Sequence, residues 1–308
     1  MKTEERLTTN GSRLSIVSLL TSASDLFRGC FRLTPSSYQD SAHMRFGPLR
    51  VINEDYVESS KGIEAHSHRE FEIFSYVIDG EIEQYVLSCS SSSRLIPGGS
   101  TDSMGNIKRI TREDLLLTSA GTPSAFAPTS SSKTPAHILQ IWAVPHTQGL
   151  KPACYTRKVT DEEKIGVWAA IVKPVNSRFS KTSSKALSYA RDDRGPAPIQ
   201  SHPSMYATLL DQGVHLARPL EGKKAYLHVV QGGPGARFGK APEANEAARV
   251  RVWTSPREGS IGWFGCEQIE LGEGDGCYVW VGDTGNNLDI ENVGTSGKRA
   301  EVVLFDME

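Results

Sequence analysis

The sequence has no CxxC pair, no apolar run approaching the length of a membrane span, and no excess of basic charge. Each absence removes a class of function. Lys plus Arg number 34 against 36 for Asp plus Glu, a net charge of -2, so no electrostatic funnel draws the chain to phosphate backbones or anionic lipid. Neither nucleic-acid contact nor a membrane is expected. The five cysteines, Cys30, Cys89, Cys154, Cys266 and Cys277, are scattered and odd in number, which fits reduced thiols in a cytoplasmic chain rather than a disulfide framework. The one apolar run near the start, "RLSIVSLL" at Arg13 to Leu20, is interrupted by serines and followed by no small-residue cleavage site. It reads as a short amphipathic element or ordered tail, not a signal peptide.

What is present is β-type sequence in abundance. "PLRVINEDYV", "FEIFSYVIDGEIEQYVL", "NIKRITREDLLLTSAG" and "AHILQIWAV" mix β-branched, aromatic and polar residues at a period near two. Asp79-Gly80 predicts a hairpin between two such runs, and "MGN" at Met104 to Asn106 a second tight turn. Residues 88–103, rich in Ser and Gly, predict a mobile surface loop that interrupts one hairpin. A polar stretch at 173–198 predicts a linker with one helical turn in its middle. The β pattern then resumes in "SMYATLL", "GVHLARPL", "AYLHVVQG", "RVRVWTS", "GCYVWVGD" and "AEVVLFDM". With 308 residues, two β domains of ordinary size follow, each an antiparallel sandwich or closed barrel.

The chemistry-bearing feature is "HSHREFEIFSYVIDG", His66 to Gly80. Residues two apart on a strand share a face, so His66 and His68 could meet one ion or one ligand. Counting onward by twos places Glu70, Glu72, Phe74 and Tyr76 on the same barrel-facing side, where Glu72 could orient an imidazole. His215 and His228 stand alone on their strands, without ligand-like spacing. "QGGPGARFG" at Gln231 to Gly239 lacks the GK[ST] ending of a phosphate loop, and "ELGEGDG" at Glu270 to Gly276 lacks calcium-loop spacing.

Taken in order, "LRVINEDYVESSKGIEAHSHREFEIFSYVIDGEIEQ" (Leu49 to Gln84), "DSMGN", "SAG", "LQIW", "PIQSHPSMYATLLDQGVHL" and "VVLFDM" resemble the pirin family of bicupins from about residue 25 onward. The resemblance implies an all-β bicupin of two stacked antiparallel β-barrels. Its divisions would be an extension at 1–24, an N-terminal cupin domain at 25–172, the linker at 173–198 and a C-terminal cupin domain at 199–308. It also implies a metal held by three histidines and a glutamate inside the N-terminal barrel. The HxH pair matches His66 and His68. The family's later "AGxGxxHSE" aligns with "SAGTPSAFAPTS", which places the third histidine on Phe126 and the glutamate on Pro128. Neither side chain can bind a transition metal. His137 falls on a strand that in the family is structural.

The expected protein is therefore a pirin-like cupin with a degenerate metal site, acting on a small aromatic or polyketide-like metabolite without a metal cofactor. His66 and His68 would serve as acid and base, supported by Glu72, in an isomerase, cyclase or lyase. Arg50, Phe74, Tyr76, Phe126 and Gln140 would line the substrate pocket, Phe126 filling the volume of an ion and its waters. One alternative keeps a single Fe, Ni or Cu ion on His66, His68 and Glu72 and makes the chain a quercetinase-like dioxygenase. Another, implied by pirins described as partners of transcription factors, is a non-catalytic regulator, for which a nuclear location is open. The 88–103 loop is a candidate flap over the barrel mouth. A monomer with a small-molecule ligand is the expected assembly.

Overall fold

The computed structural model describes residues 2–7, 13–18, 45–57, 66–68, 70–86, 106–120, 124–130, 135–150, 153–175, 195–232, 247–256, 268–282 and 286–308. The expected flap at 88–103 and the helical turn in the linker lie outside the described residues. Strands β1 (Lys2–Leu7) and β2 (Arg13–Ser18) come first. Then follow β3 (Leu49–Val57), β4 (His66–His68), β5 (Phe71–Asp79), β6 (Glu81–Val86), β7 (Asn106–Thr111), β8 (Asp114–Ala120), β9 (Ser124–Ser130), β10 (Ala136–Ala143) and β11 (Ala153–Lys158). After the four-residue helix α1 (Asp161–Lys164) come β12 (Ala169–Pro174), β13 (Ala197–Ile199), β14 (Ser204–Leu210), β15 (His215–Pro219), β16 (Lys224–Val229) and β17 (Arg249–Pro256). The last are β18 (Ile269–Gly272), β19 (Gly276–Trp280), β20 (Asn286–Asn292) and β21 (Ala300–Met307). Among the described residues no helix is long and apolar enough to cross a membrane.

The chain forms two compact units, one of residues 28–159 and 171–203, the other of 1–27, 160–170 and 204–308. The first has two antiparallel sheets, in strand orders β11-β8-β5-β10-β3 and β4-β9-β6-β7. Buried Val57, Val77, Leu116, Ala136 and Ile138 of one sheet cluster with Ile82 and Ile110 of the other. That cluster defines the inner face of both sheets.

Asp79-Gly80 does not close a hairpin, because β5 pairs with β8 and β10 whereas β6 pairs with β7 and β9. The turn instead carries the chain from one sheet to the other. Gly80 has φ 75°, and a Cβ there would lie 2.1 Å from the carbonyl oxygen of Pro135, so only glycine fits. Glu113, at the turn from β7 back to β8, is also left-handed at φ 75°, and the neighbouring Arg112 amide donates to the Gly80 carbonyl at 3.3 Å. The two sheet-to-sheet corners are thus tied together. Across 88–103, β6 and β7 do pair as one hairpin, from Val86 opposite Asn106 to Glu81 opposite Thr111.

In the second unit, β14, β21, β16, β19, β2 and β1 lie side by side in one sheet, and β15, β20, β17 and β18 form another. Leu227, Val250, Val252, Leu288, Ile290, Val302 and Leu304 are among the residues of the core between them. The segment expected as an amphipathic tail is strand: β2 pairs with β19, Ile16 opposite Cys277. Helix α1 begins with a capping box in which the Thr160 hydroxyl accepts from the Glu163 amide and the Glu163 carboxylate accepts from the Thr160 amide. Its Lys164, fully buried, donates to Glu301 at 3.1 Å and pairs with Asp161 at 3.0 Å.

Candidate functional site

Strand alternation assigns the residues of β5 and β10 to the inner or outer face of the first sheet. Val77 and Ile138 belong to the inner cluster, so Ile73 and Ser75 on β5, and Gln140 and Trp142 on β10, are inner as well. Glu72, Phe74 and Tyr76 take the opposite, outer face. Contrary to expectation, these three do not face the barrel interior. That expectation ran by twos from His68, but Glu70 adopts φ 61° and breaks the extended chain, and β4 and β5 belong to different sheets. Phe74 and Tyr76 are nonetheless fully buried, each contributing roughly 2–3 kcal/mol of apolar burial to the outer layer.

Glu72 has a structural partner on that outer face. The amide of Gln200 donates to one carboxylate oxygen at 2.8 Å and the amide of Ser201 to the other at 2.8 Å, pinning the segment after β13 to β5. Burial pushes its pKa up to about 6, against hydrogen bonds from Gln200 and Ser201 that favour the carboxylate. The half-buried Tyr155 hydroxyl is raised in turn, first by its own burial and then by the Glu72 charge. His137, on the same face, bonds buried Glu54 at 2.7 Å and stacks on Tyr56 at 4.0 Å, tying β10 to β3. Arg50 donates to the carbonyl oxygens of Gly47 and Leu49, at 2.8 and 2.9 Å, so its guanidinium braces the turn that starts β3.

The inner face carries a row of buried polar side chains. Gln140 stands directly opposite Asn53 on β3 and Ser75 on β5, so the three form a row across the sheet. Trp142, next on that face, donates Nε1–H to Gln140 Oε1 at 3.3 Å, and its ring lies 5.6 Å from that of Phe71. Gln140 Nε2 and Asn53 Oδ1 are both buried and have no hydrogen-bond partner among the described residues. Asn53 was not singled out in the sequence. Its signal was there: Asn53 and Asp55 alternate with apolar and acidic neighbours in "VINEDYV", an unusual load for a buried strand.

On the facing sheet the backbone register aligns His66 with Phe126 and His68 with Ser124, then Phe126 with Val86 and Pro128 with Gln84. Positions directly opposite share a face. Following the register to Ile82, a member of the inner cluster, places positions 66, 68, 126 and 128 on the inner side of their sheet. The structure thus brings positions 66, 68 and 126 to the barrel side that Gln140 faces, and separates them from Glu72, Phe74 and Tyr76.

No family model matches the sequence. Quercetin 2,3-dioxygenase of Escherichia coli is 32% identical over 126 residues, 40% of this chain and 47% of that protein. The match therefore spans about half the length of that relative. A pirin-like protein of Caulobacter vibrioides is 26% identical over 178 residues, 58% of this chain and 63% of that one. Among solved structures, the bacterial pirin YhhW of E. coli in complex with nickel(II) superposes with a TM-score of 0.59 at 19% identity, over 99% of this chain and 95% of that one. The chain has the bicupin fold and is similar in sequence to pirin-like proteins. The all-β bicupin fold expected from the resemblance is the fold observed.

The metal that the resemblance implies does not fit the donors present in this pirin-like chain. Opposite His66 stands Phe126, and position 128 is proline; neither offers a side-chain lone pair. Glu72 cannot complete the set in their place, since it lies on the outer face with both carboxylate oxygens taken by backbone amides. Of the positions that the resemblance assigns to the metal, only His66 and His68 keep a donor, where at least three protein donors are the rule.

Proposed function

We propose that the interior of the N-terminal barrel binds a small aromatic or polyketide-like metabolite and converts it by proton transfer, as an isomerase, cyclase or lyase. The observation that carries this reading is the shared inner register of His66, His68 and Phe126, with buried Gln140 and Asn53 on the sheet across from them. An aromatic ring and two amides suit an uncharged, planar ligand better than an anion. One imidazole takes a proton from the bound molecule and the other returns one, so an isomerisation leaves its composition unchanged. The name of the E. coli relative, quercetin 2,3-dioxygenase, supports an aromatic substrate.

The same name favours a second reading, a metal-dependent dioxygenase. The donor set speaks against it, because Phe126 and Pro128 stand where two ligands are needed. Product mass separates the two. The untagged protein is incubated with quercetin and a panel of hydroxylated aromatics, with oxygen uptake and product mass followed together. Products of unchanged mass, or fragments that sum to it, without oxygen uptake support proton-transfer chemistry. Products that gain both atoms of O2, with stoichiometric metal by elemental analysis, overturn it. The variant carrying His66→Ala and His68→Ala should lose activity by about a hundredfold or more while melting as wild type does.

A further inference from the structure

We propose that Asn53 and Gln140 form a hydroxyl-reading pair on the barrel wall. A single ligand hydroxyl accepts a hydrogen bond from Gln140 Nε2 and donates one to Asn53 Oδ1. The pair rests on the reading above, that the barrel interior is where the small molecule binds, and assigns the group by which that molecule is recognised.

Three observations support it. The two residues stand directly opposite each other on β10 and β3, which sets their Cβ atoms about 5 Å apart on one face. Both are at most 3% exposed, and the two atoms concerned lack any partner among the described residues. The orientation of the Gln140 amide is fixed from outside the pair. Trp142 Nε1–H can only donate, so the oxygen of Gln140 must face it and the NH2 must face away. Buried polar groups are rarely left unmatched, and here one donor and one acceptor are left side by side.

Their complementarity selects the ligand. A ketone could accept from Gln140 but has nothing to donate to Asn53. A carboxylate would set its charge against the Asn53 oxygen, and an ammonium would meet the Gln140 donor. A neutral hydroxyl satisfies both at once, and the Trp142 ring bonded to Gln140, with Phe71 packed on it, favours one carried on an aromatic ring. The ligand class is a phenol.

The test uses naphthol and the methylnaphthalene of the same shape, titrated calorimetrically into the full chain. Wild type should bind naphthol about tenfold tighter or more, the worth of one to two buried hydrogen bonds. Gln140→Met and Asn53→Leu should each bring the affinity ratio of the two probes close to one without weakening methylnaphthalene, whereas Asn53→Asp, which keeps the acceptor, should retain selectivity. The ratio is internal to each variant, so partial loss of folded protein cancels. Equal binding of both probes by wild type, or selectivity unchanged in both apolar variants, overturns the hydroxyl pair and leaves the barrel reading standing. Binding of neither probe overturns both.

Discussion

Glu72 and Gln200 are 128 residues apart in sequence and joined by a 2.8 Å hydrogen bond from backbone amide to carboxylate. With the Ser201 amide on the other oxygen, this bond commits an acid four residues from His68 to holding the chain together. A glutamate that looks like a metal ligand or a histidine partner in the sequence is a loop anchor on the far face of its sheet.

The first expectation concerns pH. Burial raises Glu72 from its ordinary 4.5 to about 6, so between those values the folded chain holds a proton that the unfolded chain has released. Its contribution to stability is full below about pH 4.5 and is lost as pH rises through 6, a difference of about 2 kcal/mol. Urea melts at about pH 4.5 and 7 should show this loss in wild type relative to Glu72→Gln. An identical pH dependence in the variant would remove Glu72 as its source.

The second concerns the unmatched amides. Asn53→Leu replaces a buried polar atom without a partner among the described residues by an apolar one of similar shape, so it should stabilise the chain by about 1 kcal/mol in the absence of ligand. Gln140→Met, which also takes the acceptor from Trp142 Nε1–H, should gain less. A rise in Tm together with lost selectivity for naphthol is the signature of a site maintained at the expense of stability. A fall in Tm for both variants would show that the amides are satisfied in solution.

The third concerns the sheet-to-sheet corner. Gly80→Ala must accommodate a Cβ 2.1 Å from the Pro135 carbonyl oxygen at a φ of 75°. The backbone preference alone costs roughly 1–2 kcal/mol, and the collision adds to it, so a loss of about 3 kcal/mol or more is expected by chemical denaturation. Asp79→Ala, which removes only the side-chain acceptor of the Gly80 amide at 2.9 Å, should cost about 1 kcal/mol or less.

The fourth concerns α1. Lys164→Met removes the cation 3.1 Å from buried Glu301 and should destabilise the C-terminal unit by roughly 3–5 kcal/mol. Adding Glu301→Leu should recover most of that loss, because the desolvation penalty leaves with the charge. A double variant no more stable than Lys164→Met would show that the pair contributes packing rather than charge compensation.

Much of the fold was legible in the chain because period-two patterning is local. The runs that became β3, β5, β8, β10, β14, β16, β19 and β21 carry enough Val, Ile, Leu and aromatic residues to read as strands without tertiary help. Strands β9 and β20, "SAFAPTS" and "NNLDIEN", do not, since their composition is that of turns and only their neighbours make them strands. Helix α1 had a readable signal in "TDEE", the spacing of a capping box, which four residues among strands made easy to pass over.

The site divides along the same line. The sequence by itself determined which residue types are available: two histidines one residue apart, a phenylalanine and a proline aligned with the family's other ligands, and a glutamine in "LQIW". Those identities remove two of the four side-chain donors that the resemblance implies, because a side chain without a lone pair cannot acquire one by folding. Only the tertiary structure decided which face each residue takes. Alternation holds within a strand and fails wherever the chain turns, so the left-handed Glu70 and the change of sheet between β4 and β5 moved Glu72, Phe74 and Tyr76 outward. The same register that displaced them put Asn53 beside Gln140, a pairing between residues 87 positions apart that no local pattern encodes.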